Sequence, residues 1–395
     1  MHRENQKAPA TVLYVVDALG LGGKTKSLVD LACNLDPERY QPVVCGFNEE
    51  KGILVERLRA AGIPMHIVPC REGLNFGMVA RLMPLIRSIR PAVIHCYNPR
   101  PIIYGGLAAR LMGVRGTVGS LSAFACQVPD RNYDFLPQAL CTVSRRNVYR
   151  NRLASRLMRY LVTVSSALGE RFFRYNRLPL EKLRIVSYGA NVEHAWSHTQ
   201  EEIAVLRQQI GVRAGEILIG SVGRLVEQKD YPTQLKAFAL AARQMPELRM
   251  VLAGDGPLAE PLKQLARELG IQNRVSFLGL WEKVPLLLRS LDIFVLASKF
   301  EPYGVVLLEA KAAGVSIAAT NVNEVPEIIV DGRSGLLAAP GDPENLSRVL
   351  LALAADPGLR QSLGRQALVE ARERHSLQAM LKGYQEIYDD VRQSA

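Results

Sequence analysis

No stretch of this 395-residue chain stays apolar for the roughly 18 to 20 residues that cross a bilayer, so a helical membrane span is excluded. Cysteine is sparse. The six thiols, Cys33, Cys45, Cys70, Cys96, Cys126 and Cys141, all lie in the first half, and none belongs to a Cys-x-x-Cys pair. That spacing argues against zinc or redox work and predicts buried, reduced thiols. Aromatic residues are only 6% of the chain, too thin an interleaving to stack bases, and no nucleic-acid motif appears. Internal repeats and low-complexity tracts are absent. The opening MHRENQKAPA has no apolar core of a signal peptide, so the expected location is cytoplasmic.

What is present describes a globular protein. Hydrophobic residues make up 48%, and the length exceeds one ordinary core, which predicts two domains. Charge divides along the chain. Residues 1–190 hold 27 basic and 13 acidic residues, 27 − 13 = +14. The remainder holds 22 and 25, 22 − 25 = −3, which sums to the net +11. The first half alone is basic.

Apolar runs at 11–16, 42–47, 65–68, 92–95, 116–120 and 161–164 alternate with helical patterns, the signature of a parallel sheet covered by helices on both faces. The pattern lapses between 122 and 140, as in a long functional loop. Residues 183–199 read as a strand and a polar connector. Alternation restarts with runs at 217–223, 250–254, 275–279, 292–298 and 315–320, a second doubly wound domain. The expected division is 1–190, 191–375 and an amphipathic last helix in 376–395.

The most informative stretch is SKFEPYGVVLLEAKAAG. A buried strand (292–298) leads into a loop over Lys299–Gly304. The helical spacing of Val305–Ala313 then ends at Gly314, a helix stop. Glu301 sits at the loop and Glu309 on the helix, with seven residues between them. The amides of Gly304 and Val305 fall at the helix start, where an anion can be held. A carboxylate for sugar hydroxyls, amides for phosphate and a second carboxylate for ribose compose a sugar-nucleotide site.

This stretch resembles the donor signature of retaining glycosyltransferases of family 4, which have the GT-B architecture. GSVGRLVEQKDYPTQLKAF (220–238), VLAGDGP (251–257), VSFLG (275–279) and VPEIIVDGRSGLLAAPGD (325–342) resemble its further landmarks, in the family's order. Residues 183–199 resemble its hinge segment. The resemblance implies an α/β fold of two Rossmann-like domains facing each other across a cleft, an acceptor-side N-terminal domain, a nucleotide-sugar-binding C-terminal domain and a last helix packing back towards the first. It also implies catalytic roles for Glu301, Arg224, Lys229 and His95. The implied donor site comprises Gly22, Gly23, Gly223, Arg224, Lys229, Gly254, Glu301, Tyr303, Gly304, Val305 and Glu309. Arg224 and Lys229 would offset the diphosphate with no metal or other cofactor. Glu309 would take the ribose hydroxyls and Glu301 those of the transferred sugar.

LGLGGKTKSL (19–28) is a poor dinucleotide fingerprint, whereas Gly22 and Gly23 fit the family's Gly-Gly loop; a plain tight turn remains open. Ser122 stands where many members carry a histidine. His95 either lines the cleft or is a satisfied buried histidine. Retention by same-face attack is implied, with the leaving diphosphate assisting deprotonation.

Arg145, Arg146, Arg150, Arg152, Arg156 and Arg159 crowd a helix expected before the 161–164 strand, with Leu153 and Leu157 turned inward. Such a surface suits an anionic membrane, a phosphorylated glycan acceptor or simply solvent. The reading is a hexosyltransferase moving sugar from a UDP- or GDP-sugar to a hydroxyl of an envelope glycan, lipopolysaccharide or lipid-linked saccharide. It would work in the cytoplasm or at the inner face of the membrane. The alternatives are a GT-B isomerase or hydrolase of sugar nucleotides, and a donor-binding paralogue without turnover.

Overall fold

Each alternating run becomes a strand followed by a helix in the computed structural model of the protein, which describes residues 8–19, 23–48, 52–70, 77–122 and 145–393, with backbone alone at 145–147. These residues fall into two compact units. One runs up to Ser187 and includes the residues from Met380 onward; the other is Tyr188–Ala379. The first division lies slightly before the expected residue 190.

The first unit is built on seven parallel strands: β1 (Ala10–Val16), β2 (Tyr40–Gly46), β3 (Met65–Ile67), β4 (Val93–Tyr97), β5 (Thr117–Ser120), β6 (Tyr160–Thr163) and β7 (Leu183–Ile185). Their order is β3-β2-β1-β4-β5-β6-β7. Val12, Leu13 and Val15 have no exposed surface, as expected of a strand with both faces covered. The described cysteines are free thiols; Cys45, Cys70 and Cys96 are buried and Cys33 is partly so. Burial pushes the Cys45 thiol up to about 12, which suits inert packing.

Helix Arg145–Leu157 stops before Arg159, and its buried side is formed by Ala154, Ser155 and Leu157. Leu153, expected to turn inward, is 40% exposed. Leu157 packs closely on Gly106, where an added Cβ would lie 2.8 Å from Leu157 Cβ.

His95 is corrected from a candidate catalytic residue to a core histidine. It has no exposed surface. Nδ1 lies 2.7 Å from the Tyr388 hydroxyl and Nε2 lies 2.7 Å from Ser120 Oγ. The Tyr388 hydroxyl donates to Tyr14, and Ser120 also meets the Tyr384 hydroxyl at 3.1 Å. The ring is satisfied on both sides, so it ties helix Leu377–Gln393 to β4 and β5 of the first unit rather than meeting a substrate.

The second unit carries β8 (Ile217–Val222), β9 (Leu248–Ala253), β10 (Val275–Gly279), β11 (Ile293–Leu296), β12 (Ser316–Thr320) and β13 (Leu336–Ala338). The order is β10-β9-β8-β11-β12-β13, parallel throughout. Helix Tyr231–Gln244 and helix Pro343–Ala355 close one core over Ile219, Phe238, Leu252, Val295 and Leu350. β13 has no counterpart among the expected strands.

Burial holds the His95 imidazole neutral and lowers its pKa from 6.5 to about 3. The unfolded chain takes up a proton first as pH drops. This contribution to stability is therefore complete above pH 6.5 and is lost as pH falls towards 3. The first unit should melt at progressively lower temperature as pH falls from about 7 to about 4.5. His95→Gln, which cannot take the proton, should show a shallower pH slope by calorimetry.

Candidate functional site

The order of the second sheet reverses at one place. β9 and β10 lie to one side of β8, while β11, β12 and β13 lie to the other. At such a switch point the loops leaving the carboxyl ends of the two central strands diverge and leave room for a ligand. The loops after β8 and β11 are those that carry the charged candidates.

After β8 come Gly223 and the exposed Arg224, then a short 3-10 turn, Glu227–Lys229. After β11 comes Glu301. The Lys229 ammonium is paired with Glu301 Oε2, and their side chains are 14% and 6% exposed. Ser298 Oγ donates to the same oxygen at 3.1 Å. The backbone is tied as well. The Lys299 amide donates to Gln228 O at 2.9 Å, Gln228 Nε2 donates to Phe300 O at 2.8 Å, and the Glu301 amide donates to Asn323 Oδ1 at 3.1 Å. Ser298, Gln228 and Asn323 were not among the sequence candidates. An Asn in the loop after a strand, where a left-handed residue is tolerated, was the one available signal for Asn323.

Two glycines shape the backbone here. Gly304 has φ 80°, a left-handed turn into helix Val305–Ala313. The Leu307 amide already donates to Gly304 O at 2.9 Å, and the helix start carries the positive end of the dipole. At Gly254, after β9, a Cβ would lie 1.8 Å from Gly223 O, so the chain segments leaving β8 and β9 touch through backbone. Tyr303 is 4% exposed, edge-on to Tyr188 at 5.5 Å, so its ring packs inside the unit. Glu309 lies one turn into the helix and is half-buried.

The other side of this helix is anchored. Lys311 is 1% exposed, with Nζ 2.7 Å from Glu370 Oε2 and 2.6 Å from Ile328 O. Arg333 also reaches Glu370, at 3.2 Å. Burial lowers the Lys311 pKa, and Glu370 partly offsets that. Burial pushes the Glu370 carboxyl up, but Lys311 and Arg333 outweigh it and hold it below the usual range. At the C-terminal end Trp196 Nε1 donates to Ala312 O at 2.9 Å and Arg289 Nη1 to Ala313 O at 3.1 Å.

Within the second unit the structure brings Lys229 onto Glu301 and Gly254 against Gly223, while Arg224 follows β8 and Tyr303, Gly304, Val305 and Glu309 follow β11 along the chain. In the first unit Gly23 opens helix Gly23–Asn34, and Gly22 lies outside the described residues. Arg150, Arg156 and Arg159 are exposed, whereas Arg152 Nε is spent on Asn176 O at 3.0 Å. For Arg145 and Arg146 only the backbone is described. The Ser122 amide donates to Asn98 Oδ1 at 3.3 Å.

Two family profiles match in register. "Glycosyl transferases group 1" covers residues 202–369, and "Glycosyltransferase Family 4" covers residues 21–194. The chain belongs to the group 1, family 4 glycosyltransferases. Within this family it is 30% identical over 192 residues to N-acetyl-alpha-D-glucosaminyl L-malate synthase of Bacillus anthracis, covering 49% of this chain and 50% of that one. It is 33% identical over 165 residues to the lipopolysaccharide core biosynthesis glycosyltransferase LpsE of Rhizobium meliloti, covering 42% and 47%. The matched stretches span about half the length of these relatives. Among solved structures, Anabaena Alr3699/HepE in complex with UDP superposes over 96% of this chain and 100% of its own, with TM-score 0.82 and 22% identity. That likeness makes the fold GT-B.

Removing one partner of a buried ion pair strands the other charge. Glu370→Leu should therefore lower the stability of the second unit by about 3–5 kcal/mol. Lys311→Met together with Glu370→Leu should recover most of it. Urea melts followed by Trp196 and Trp281 fluorescence, both in this unit, would check the pair.

Proposed function

We propose that the protein transfers a hexose-type sugar, with retention of anomeric configuration, from a UDP- or GDP-sugar to a hydroxyl of an envelope glycan, lipopolysaccharide or lipid-linked saccharide. The observation that carries this is the Lys229–Glu301 contact at the switch point of the second sheet. A diphosphate seated on the Lys229 ammonium and on the helix amides at Gly304 and Val305 would place its sugar beside the Glu301 carboxylate. Arg224, exposed and always charged, can close on the same phosphates. Glu309 would accept the ribose hydroxyls. Two cations and a helix dipole supply the charge that stabilises a departing diphosphate, so no metal is invoked. The leaving phosphate would take the acceptor's proton on the face it departs from. HepE's complex with UDP supports the donor class, and LpsE's role in lipopolysaccharide core biosynthesis supports the envelope acceptor.

The first unit supplies a reading for the acceptor side. On helix Arg145–Leu157 the exposed Tyr149 (69%) and Leu153 (40%) stand beside Arg150 and Arg156. Apolar tips among guanidinium groups suit peripheral contact with an anionic cytoplasmic leaflet. Binding to anionic vesicles should be lost in Arg150→Glu/Arg156→Glu at about 0.15 M salt; equal binding by both proteins would remove the membrane reading.

Lys229→Ala should reduce donor turnover by about 10²–10³-fold, the scale of losing one preorganised charge contact. A chelator should leave the wild-type rate unchanged, and NMR of the product should show the donor's anomeric configuration. Inverted product or chelator-sensitive turnover would contradict the mechanism.

A further inference from the structure

The peptide unit joining Phe300 to Glu301 is held at both of its polar ends by side chains from other loops. Its carbonyl accepts Gln228 Nε2 at 2.8 Å, from the turn after β8. Its N–H donates to Asn323 Oδ1 at 3.1 Å, from the turn after β12. We propose that Gln228 and Asn323 are positioning residues that clamp this peptide plane and so aim the Glu301 carboxylate at the donor sugar. The proposal rests on the donor-site reading of Glu301 given above.

The conformation of Asn323 supports a selected role. Its φ is 46°, in the left-handed region, which glycine adopts at least cost. Asparagine tolerates that region less well than glycine but brings an acceptor. Here the acceptor is used on Glu301, whose side chain is paired with Lys229. The carboxylate itself is fixed by Lys229 and Ser298. Those contacts set one oxygen, whereas the plane of the 300–301 peptide sets the direction from which the side chain leaves the backbone. Gln228 is adjacent to Lys229, so the same turn that delivers the cation also holds the carbonyl. The arrangement couples the phosphate cation and the sugar carboxylate through rigid backbone, the kind of support an oriented site requires.

The test uses variants that separate strain from hydrogen bonding. Asn323→Gly keeps the left-handed backbone and removes the acceptor; Asn323→Asp keeps an acceptor; Gln228→Ala removes the donor. UDP, GDP, UDP-glucose and GDP-mannose are titrated against each, donor consumption is followed, and amide hydrogen exchange is read on the segment 299–304. The expected result for Asn323→Gly is faster exchange at the Glu301 amide, nucleoside diphosphate affinity within about twofold of wild type, and donor consumption reduced about tenfold or more. Gln228→Ala should behave alike, and Asn323→Asp should recover most of the rate. Wild-type turnover in Asn323→Gly, or equal loss of nucleotide and nucleotide-sugar affinity, overturns the clamp. Glu301→Gln distinguishes the two readings. If it abolishes consumption while Asn323→Gly does not, only the clamp falls; if it leaves consumption intact, the sugar role of Glu301 falls and the clamp with it.

Discussion

Lys229 and Glu301 stand 72 positions apart and meet because β8 and β11 are neighbours in the sheet. An ammonium and a carboxylate that are both mostly withdrawn from water stay charged only when each satisfies the other and further hydrogen bonds complete the set. Ser298 completes it for the carboxylate. The geometry of the second unit follows from keeping that contact. Gly254 must lack a side chain so that the segments after β8 and β9 can touch. Gly304 must turn left-handed so that the helix after Glu301 starts where its amides remain available.

The helix that follows is held from behind rather than from the ligand side. Lys311 and Glu370 place a buried ion pair under it, and Trp196 and Arg289 bond its last carbonyls. The helix is thus fixed at its base and at its C-terminal end. The first unit spends its buried polar groups differently. His95, Tyr14, Tyr384, Tyr388 and Ser120 satisfy one another, which attaches the last helix to the seven-stranded sheet.

Much of this was legible in the sequence because parallel strands covered on both faces are written as continuous apolar runs, and eleven of thirteen strands match such runs, with β7 read from the 183–199 segment. The helix from Val305 to its stop at Gly314 was readable for the same reason: a helical period closed by a glycine with φ 70°. β13 was not read as a strand. The candidate site was visible where charge and motif coincide, at Arg224, Lys229, Glu301 and Glu309. It was invisible where a neutral amide acts on backbone, as Gln228 and Asn323 do, because such bonds depend on which loops the sheet order brings together. His95 stayed open between two readings because a histidine at a strand end has the same sequence signature whether it faces a ligand or four tyrosines.

The central claim is that the second unit binds a nucleoside diphosphate through Glu309 and the cations after β8. Calorimetric titration of wild type and Glu309→Ala with UDP, GDP, ADP and CMP, without divalent metal, tests it most directly. The account predicts that one nucleoside diphosphate binds the wild type and that its affinity falls at least about tenfold in the variant, the loss of hydrogen bonds to a charged group. Binding by none of the four, or binding unaffected by Glu309→Ala, would contradict it.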